Sequence, residues 1–293
     1  MNIVPSGQTL GARVEGIDLS NPVSGQDFRT VLRALGRHGV LCFPGQTCAT
    51  AQFAAFAKRF GELEVNVANL HFEPDFPEIM ILSNMMGSDG KPLGLNDAGQ
   101  GWHTDMSYSK DIALANILHA QKVPVRNGKS VGETQFRNTH AAYDELPEDI
   151  KHRIEGRTAI HDFEKFWEVM RQRPGSRRGP LTDAQRAKKP PVSQPLVRIH
   201  PITGRKVLYA NPGYTMYVED MDALESGQLL DFLFRHQERA DFLYAHHWAE
   251  GDVLMWDNIG TVHNAVADYM PSEPRYMRRA QVMATLDYAA LVA

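Results

Sequence analysis

Leu254-Met255-Trp256-Asp257-Asn258-Ile259-Gly260-Thr261-Val262-His263-Asn264-Ala265-Val266 reads as two short apolar strands joined by a tight Asp-Asn-x-Gly connection. Strands of this length need partners, and the flanking sequence supplies them. Upstream, Phe242 to Trp248 and Asp252 to Asp257 are separated by the Glu250-Gly251 turn, and downstream Met277 to Tyr288 is again strand-like. Further back the same texture recurs at Ile79 to Leu82, Trp102 to Tyr108, Ala113 to Gln121, Val131 to Phe136, Leu196 to His200 and Lys206 to Ala210. Many short strands with a few helices outside them predict a mainly β chain with flanking helices, of jelly-roll type.

The helices have end signals of their own. Ser24 with Asp27 three positions on opens an apolar stripe of Phe28, Val31, Leu32 and Leu35 that Gly39 closes. Ala51 to Phe60 is stopped by Gly61, and further helices are expected at Asn138 to Leu146, Pro147 to Ile154 and Asp222 to His236. Residues 1 to about 75 therefore form an αβ prelude, with a first strand in 10 to 19. Residues 165 to 191 are Pro-rich and Gly-rich and carry eight Lys or Arg against two acids. That composition fits a solvated loop, or a lid over a site. With no repeat and no boundary signal, the 293 residues read as one domain.

Composition narrows the function classes. Hydrophobic content of 43% and charged content of 23% are ordinary for a globular protein, and no apolar run reaches the roughly 20 residues of a membrane span. The N-terminus lacks a basic and apolar leader, so the expected address is the cytoplasm. A net charge of −4 gives no general attraction to nucleic acid or anionic lipid, which leaves a small molecule as the expected partner. Of the two cysteines, Cys42 lies in the apolar run Val40 to Phe43 and is expected to be a buried thiol.

Three His-x-acid pairs occur: His71/Glu73, His103/Asp105 and His236/Glu238. The last lies on a predicted helix, where residues two apart diverge, and the first among turn-forming prolines. His103 and Asp105, in Gly101-Trp-His-Thr-Asp, are placed on a strand, where side chains two apart share a face. His263 offers a third ligand from a different strand. Two histidines and one carboxylate describe the open facial site of non-haem Fe(II) oxygenases. Twelve residues after His263 comes Arg275. On an extended chain Arg275, Met277 and Arg279 share a face while Arg278 points away, solvated or ion-paired. Two guanidiniums that can each grip a carboxylate therefore enter one cavity.

In that order these residues resemble the Fe(II)/2-oxoglutarate-dependent dioxygenases, specifically the taurine dioxygenase family, which includes the aryloxyalkanoate dioxygenases. The resemblance runs through Gly16-Ile-Asp-Leu, Arg59-Phe-Gly-Glu-Leu, Trp102-His-Thr-Asp, Gly132-Glu-Thr, Ala142-Tyr-Asp-Glu-Leu, His161-Asp-Phe, Trp256-Asp-Asn and Asp268-Tyr. It implies a double-stranded β-helix, an iron held by His103, Asp105 and His263, and 2-oxoglutarate and O₂ as cosubstrates. It further implies that Thr134 and Arg275 hold the distal carboxylate of 2-oxoglutarate, and that Arg279 meets the anionic head of the substrate. Phe163 and Tyr214 match aromatic positions of the substrate pocket, Tyr214 in place of a Phe. Asn66 and Asn69 stand where the taurine enzyme has a sulfonate-binding histidine and a nearby tyrosine. Gly99 replaces an asparagine, and Met106 is larger than the usual Val. These departures point away from taurine and toward another small anion, a sulfonate, an aryloxyalkanoate or a related carboxylate. A homo-oligomer is implied by the resemblance alone. A zinc hydrolase with the same triad would need neither Arg275 nor Thr134, and a silent jelly-roll binding module would need none of the ligands.

Overall fold

The computed structural model describes residues 1–65, 71–173, 176 and 178–293. Its largest sheet has eight strands, in the order Asn2–Pro5, Ala12–Glu15, Val40–Phe43, Val253–Asp257, Ala113–Lys122, Tyr276–Met283, Phe76–Ser83 and Phe72–Glu73. All neighbours run antiparallel except Ala12–Glu15 beside Val40–Phe43. Strands from the first 43 residues thus extend the same sheet that receives the last quarter of the chain.

The period of two along these strands sorts their side chains onto two faces. Leu41, Phe43, Ile117, Met255 and Ala280 pack outward with Val31, Leu32 and Leu35 of the helix Gly25–His38 and Phe53, Phe56 and Ala57 of the helix Thr50–Lys58. Truncating one of the larger of these side chains, such as Leu32 or Phe53, to alanine costs about 2–5 kcal/mol. Val40, Cys42, Leu118, Leu254, Trp256, Leu82 and Met277 face the other way and pack on Phe136 and Trp248. Phe136 belongs to a second, three-stranded sheet in which Thr134–Asn138 lies between Leu243–His246 and Thr261–Ala265. These two sheets are the walls of the jelly roll, and the connection Asp257 to Gly260 carries the chain from one to the other. The first helix is capped as its sequence predicts: Ser24 Oγ accepts from the Asp27 amide at 3.0 Å, and Gly39 takes φ 66°.

Several expectations change. Trp102 to Tyr108 is not a strand: only His103 pairs, in an isolated antiparallel bridge with His263, and a turn follows with Met106 at φ 58°. The reading failed there because the segment is extended by contacts to distant residues, not by a ladder. Residues 165–191, read as irregular, hold most of the helix Phe163–Arg171 and the helix Asp183–Lys188. Their caps, Asp162 and Thr182, accept backbone amides of Glu164 and Gln185. His71 to Glu73, read as a loop, includes the edge strand Phe72–Glu73, and the strand-like run 277 to 288 ends at Met283 with the helix Tyr288–Val292 after it. Cys42 and Cys48 are free and buried, as expected of a chain without a disulfide framework.

Candidate metal centre and its cavity

His103 and His263 exchange backbone hydrogen bonds, N–H to O at 3.0 and 2.9 Å, which sets their rings 4.2 Å apart. Asp105 completes the group: its Oδ1 lies 3.6 Å from His103 Nε2 and its Oδ2 3.4 Å from His263 Nε2. Adjacent ligands around an octahedral ion with metal–ligand bonds near 2.1 Å stand about 3 Å apart, and one ligand atom from each residue lies within 4.8 Å of the other two, so the group suits one small cation. The proton inventory agrees. His103 Nδ1 donates to the Gly101 carbonyl at 2.7 Å, which leaves the Nε2 lone pair facing Asp105. Burial, followed by the neighbouring His263, lowers the His103 pKa to about 3, so the ring is neutral and ready to ligate. Burial pushes the Asp105 carboxyl up, but Arg279 and the two histidines outweigh it and hold the group well below the usual carboxylate range.

The turn that carries Asp105 is fixed from a distance. Asn258 Oδ1 accepts the Asp105 amide at 3.1 Å, and its Nδ2 donates to the Asp105 carbonyl at 2.8 Å and the Ala113 carbonyl at 3.2 Å. Trp256, two residues earlier, sits 4.9 Å from the His263 ring. The Trp256-Asp-Asn connection therefore locates Asp105 and His263, two of the three candidate ligands.

Two other buried groupings among the described residues have ligand-like composition: Cys42/His246/Asp252 and His140/His200/Asp257. Neither lines the cavity. His200 Nδ1 accepts the Ile202 and Thr203 amides at 3.2 and 3.3 Å, so its Nε2 carries the proton and points at Asp257 Oδ2, 2.9 Å away, with no lone pair for a metal. Burial pushes the Cys42 thiol up to about 12, far from thiolate.

The His103 group opens onto a cavity of about 710 Å³ whose lining includes Thr134, Arg275, Arg279, Met106, Phe163 and Tyr214. Asn66 and Asn69 lie outside the described residues. Thr134 is buried, and its hydroxyl accepts Trp248 Nε1 at 3.1 Å. Arg275 is buried with no carboxylate partner among the described residues, and its Nε is unpaired. A buried guanidinium without a counter-charge is expensive, so this corner is built to receive an anion. The parity expected of the last strand is seen: Arg275 and Arg279 line the cavity, while Arg278 turns away to Glu73 at 3.0 Å. Arg279 is already engaged, with Nη2 2.8 Å from Asp105 Oδ2 and 2.9 Å from Asn116 Oδ1.

Sequence reasoning missed Asn258, Asn116, Gly213, Tyr108 and Phe166. Asn258 was visible only as part of the Trp-Asp-Asn run, and the others carry no local signal, since each matters through what the fold brings to it.

The model of the taurine catabolism dioxygenase TauD, TfdA family matches residues 2–281. The alpha-ketoglutarate-dependent 2,4-dichlorophenoxyacetate dioxygenase of Cupriavidus pinatubonensis is 33% identical over 291 residues, covering 96% of each chain. Pentalenolactone F synthase of Streptomyces avermitilis is 31% identical over 281 residues, covering 93% of this chain and 90% of its own. Among solved structures, AAD-2 in complex with Mn(II) and N-oxalylglycine superposes with a TM-score of 0.81 at 31% identity, covering 98% of each chain. Matched over nearly its whole length in sequence and in fold, the chain belongs to the TauD, TfdA family of taurine catabolism dioxygenases.

Proposed function

We propose that His103, Asp105 and His263 hold the iron of this enzyme, that Thr134 and Arg275 hold the far carboxylate of 2-oxoglutarate, and that the organic substrate is a small anion. As a member of its family the chain is a non-haem Fe(II)/2-oxoglutarate-dependent dioxygenase. Bound Fe(II) with 2-oxoglutarate supplies the oxidising chemistry, in which one atom of O₂ enters succinate as CO₂ leaves and the other enters a substrate C–H bond. The observation that carries the residue assignment is the pairing of an open two-His, one-carboxylate group with a buried, unpaired arginine in the same cavity. A zinc hydrolase has no use for that arginine.

Each side chain has a defined task. His103 is fixed as the Nε2 ligand by its bond to Gly101, and Asn258 fixes the loop of Asp105. Arg275 receives a carboxylate, with the Thr134 hydroxyl lining the same cavity. Arg279 holds Asp105 through Nη2, and its guanidinium on the cavity wall is available to an anionic group carried next to the reacting carbon. Met106, Phe163 and Tyr214 shape the apolar part of the pocket and exclude water from the reacting carbon. We read residues 1–293 as one oxygenase unit, because strands from residues 2–43 complete the sheet that carries Arg275 and Arg279. The helices Phe163–Arg171 and Asp183–Lys188 contribute Phe166, Trp167, Met170, Gln185 and Lys188 to the cavity lining, which supports reading the 165–191 region as its lid. No described helix is long and apolar enough to cross a membrane, and the cytoplasm is the proposed setting.

The test is anaerobic titration of the purified protein with Fe(II) and 2-oxoglutarate. A visible metal-to-ligand absorption band is expected, lost in His103→Ala and weakened in Arg275→Ala. Wild-type behaviour of His103→Ala, or turnover that persists without O₂ and 2-oxoglutarate, would refute the assignment.

A further inference from the structure

The cavity wall next to the candidate metal is aromatic and continuous. The His103 ring has Phe166 at 4.8 Å and Tyr214 at 6.2 Å; Tyr214 lies 4.6 Å from Tyr108, and Tyr108 4.9 Å from Phe163. At the outer end of this wall Lys189 Nζ sits 5.5 Å from the centre of the Tyr108 ring, with Lys188 beside it in sequence and also on the cavity lining. Two ring-to-ring steps, His103 to Tyr214 and Tyr214 to Tyr108, and one cation–ring contact therefore lead from a candidate metal ligand to an ammonium group.

The other charges of the cavity are committed. Arg178 grips Asp97 with two bonds of 2.6 and 2.8 Å, Arg279 is on Asp105, and Glu78 is on Lys58 at 2.6 Å. Arg275, under the reading above, is matched by 2-oxoglutarate. Among the described residues neither Lys188 nor Lys189 has a carboxylate within 4.0 Å, and of the lining carboxylates only Glu64 lacks an ion pair. Two lysines against one glutamate leave the rim with surplus positive charge. A cation held over a ring face rather than by a carboxylate remains open to an incoming anion.

We propose that Lys189, supported by Lys188, is an anion-binding position at the rim, and that the preferred substrates are aromatic carboxylates whose oxidisable C–H bond lies across the ring from the carboxylate. The ring stacks along Tyr108, Tyr214 and Phe166, the carboxylate meets Lys189, and the opposite substituent faces the His103 end. A 4-alkoxybenzoate has this layout. An aryloxyacetate carries its carboxylate next to the carbon to be oxidised, at the Arg279 end of the cavity. For 4-methoxybenzoate the balance closes. O₂ accepts two electrons from the decarboxylation of 2-oxoglutarate and two from a methyl C–H bond, giving succinate, CO₂ and a hydroxymethyl ether. Its C–O bond to the methyl carbon then breaks, the hydroxyl proton passing to the phenolic oxygen, to yield 4-hydroxybenzoate and formaldehyde.

The inference rests on the 2-oxoglutarate oxygenase reading, and the experiment separates the two. Formaldehyde and succinate release by the full-length Fe(II) enzyme would be followed with 4-methoxybenzoate, phenoxyacetate and neutral 4-methylanisole, in wild type, Lys189→Gln, Lys188→Gln/Lys189→Gln and Lys189→Arg. Wild type is expected to favour 4-methoxybenzoate. In Lys189→Gln its KM should rise tenfold or more with kcat within twofold, and the selectivity over 4-methylanisole should fall by the same factor. Lys189→Arg should restore most of both. An unmoved KM in the double variant, or phenoxyacetate turnover with none of 4-methoxybenzoate, overturns the rim site while the Fe(II)/2-oxoglutarate band stands. Absence of that band overturns both.

Discussion

A β-carbon on Gly213 would lie 2.7 Å from His103 Cβ and 3.0 Å from the Trp102 carbonyl oxygen. The glycine is thus a spacer against His103, a proposed metal ligand, and its backbone φ is not in the left-handed region, so its role is steric rather than conformational. Gly213→Ala should push His103 out of register with Asp105 and His263 and weaken Mn(II) binding about 10- to 100-fold, as loss of ligand support commonly does. Isothermal titration with Mn(II) would check it; full affinity in a folded variant would show that the contact relaxes at no cost to the site. At this same scale Arg279 has a dual position, since the guanidinium that faces the cavity also holds the Asp105 carboxylate.

Among the elements, the helix Phe163–Arg171 presents Phe163, Phe166, Trp167 and Met170 to the cavity, and Arg173 and Arg178 after it bond to the stretch 97–100. Arg178 makes its paired bonds to Asp97 and stacks 4.7 Å from the Trp167 ring, and Arg173 donates to the Gln100 carbonyl at 2.8 Å. Both anchors fall on the stretch 97–100 that runs into His103. Arg178→Ala should loosen this cover: trypsin cleavage within 163–188 is expected several-fold faster, with a several-fold higher KM for the organic substrate and a 2-oxoglutarate Kd within twofold. Proteolysis at the wild-type rate would mean that helix packing alone holds the segment in place.

For the whole molecule, buried neutral histidines make stability depend on pH. Burial, then Lys165 and Arg198, lowers the His161 pKa to about 3; burial foremost, with His200 and Arg205 adding, lowers that of His140 to about 4; and His103 behaves like His161. The unfolded chain takes up these protons near pH 6.5 while the folded chain refuses them. The stability they support is therefore complete above pH 6.5 and is lost as pH falls toward the folded values. Between pH 6.5 and 5 each such group forfeits about 2 kcal/mol. Thermal unfolding of the metal-free protein should accordingly shift down by about 10 °C or more between pH 7 and pH 5. In His161→Gln the shift should be smaller by roughly a third. An equal shift in that variant would assign the acid sensitivity elsewhere.

Much of this architecture is carried by local pattern. The strands around His263, the capped first helix, the placing of Arg275 and Arg279 on one face and Arg278 on the other, and the His-x-Asp pair are all legible in the sequence. They follow from the backbone periods of 2 and 3.6 and from cap and turn chemistry, which neighbouring residues settle among themselves. The tertiary structure alone decided the rest. It replaced the expected strand at 102–108 by a bridge and a turn, because Asn258, more than 150 positions away, binds the Asp105 backbone. It set Gly213 against His103 and made the helices Phe163–Arg171 and Asp183–Lys188 where irregular chain was expected, the first of them walling the cavity with Phe163, Phe166 and Trp167. Contacts between distant residues leave no trace in local periodicity, so the sequence determined which groups the site contains, and the packing of the two sheets and their cover determined how those groups are held.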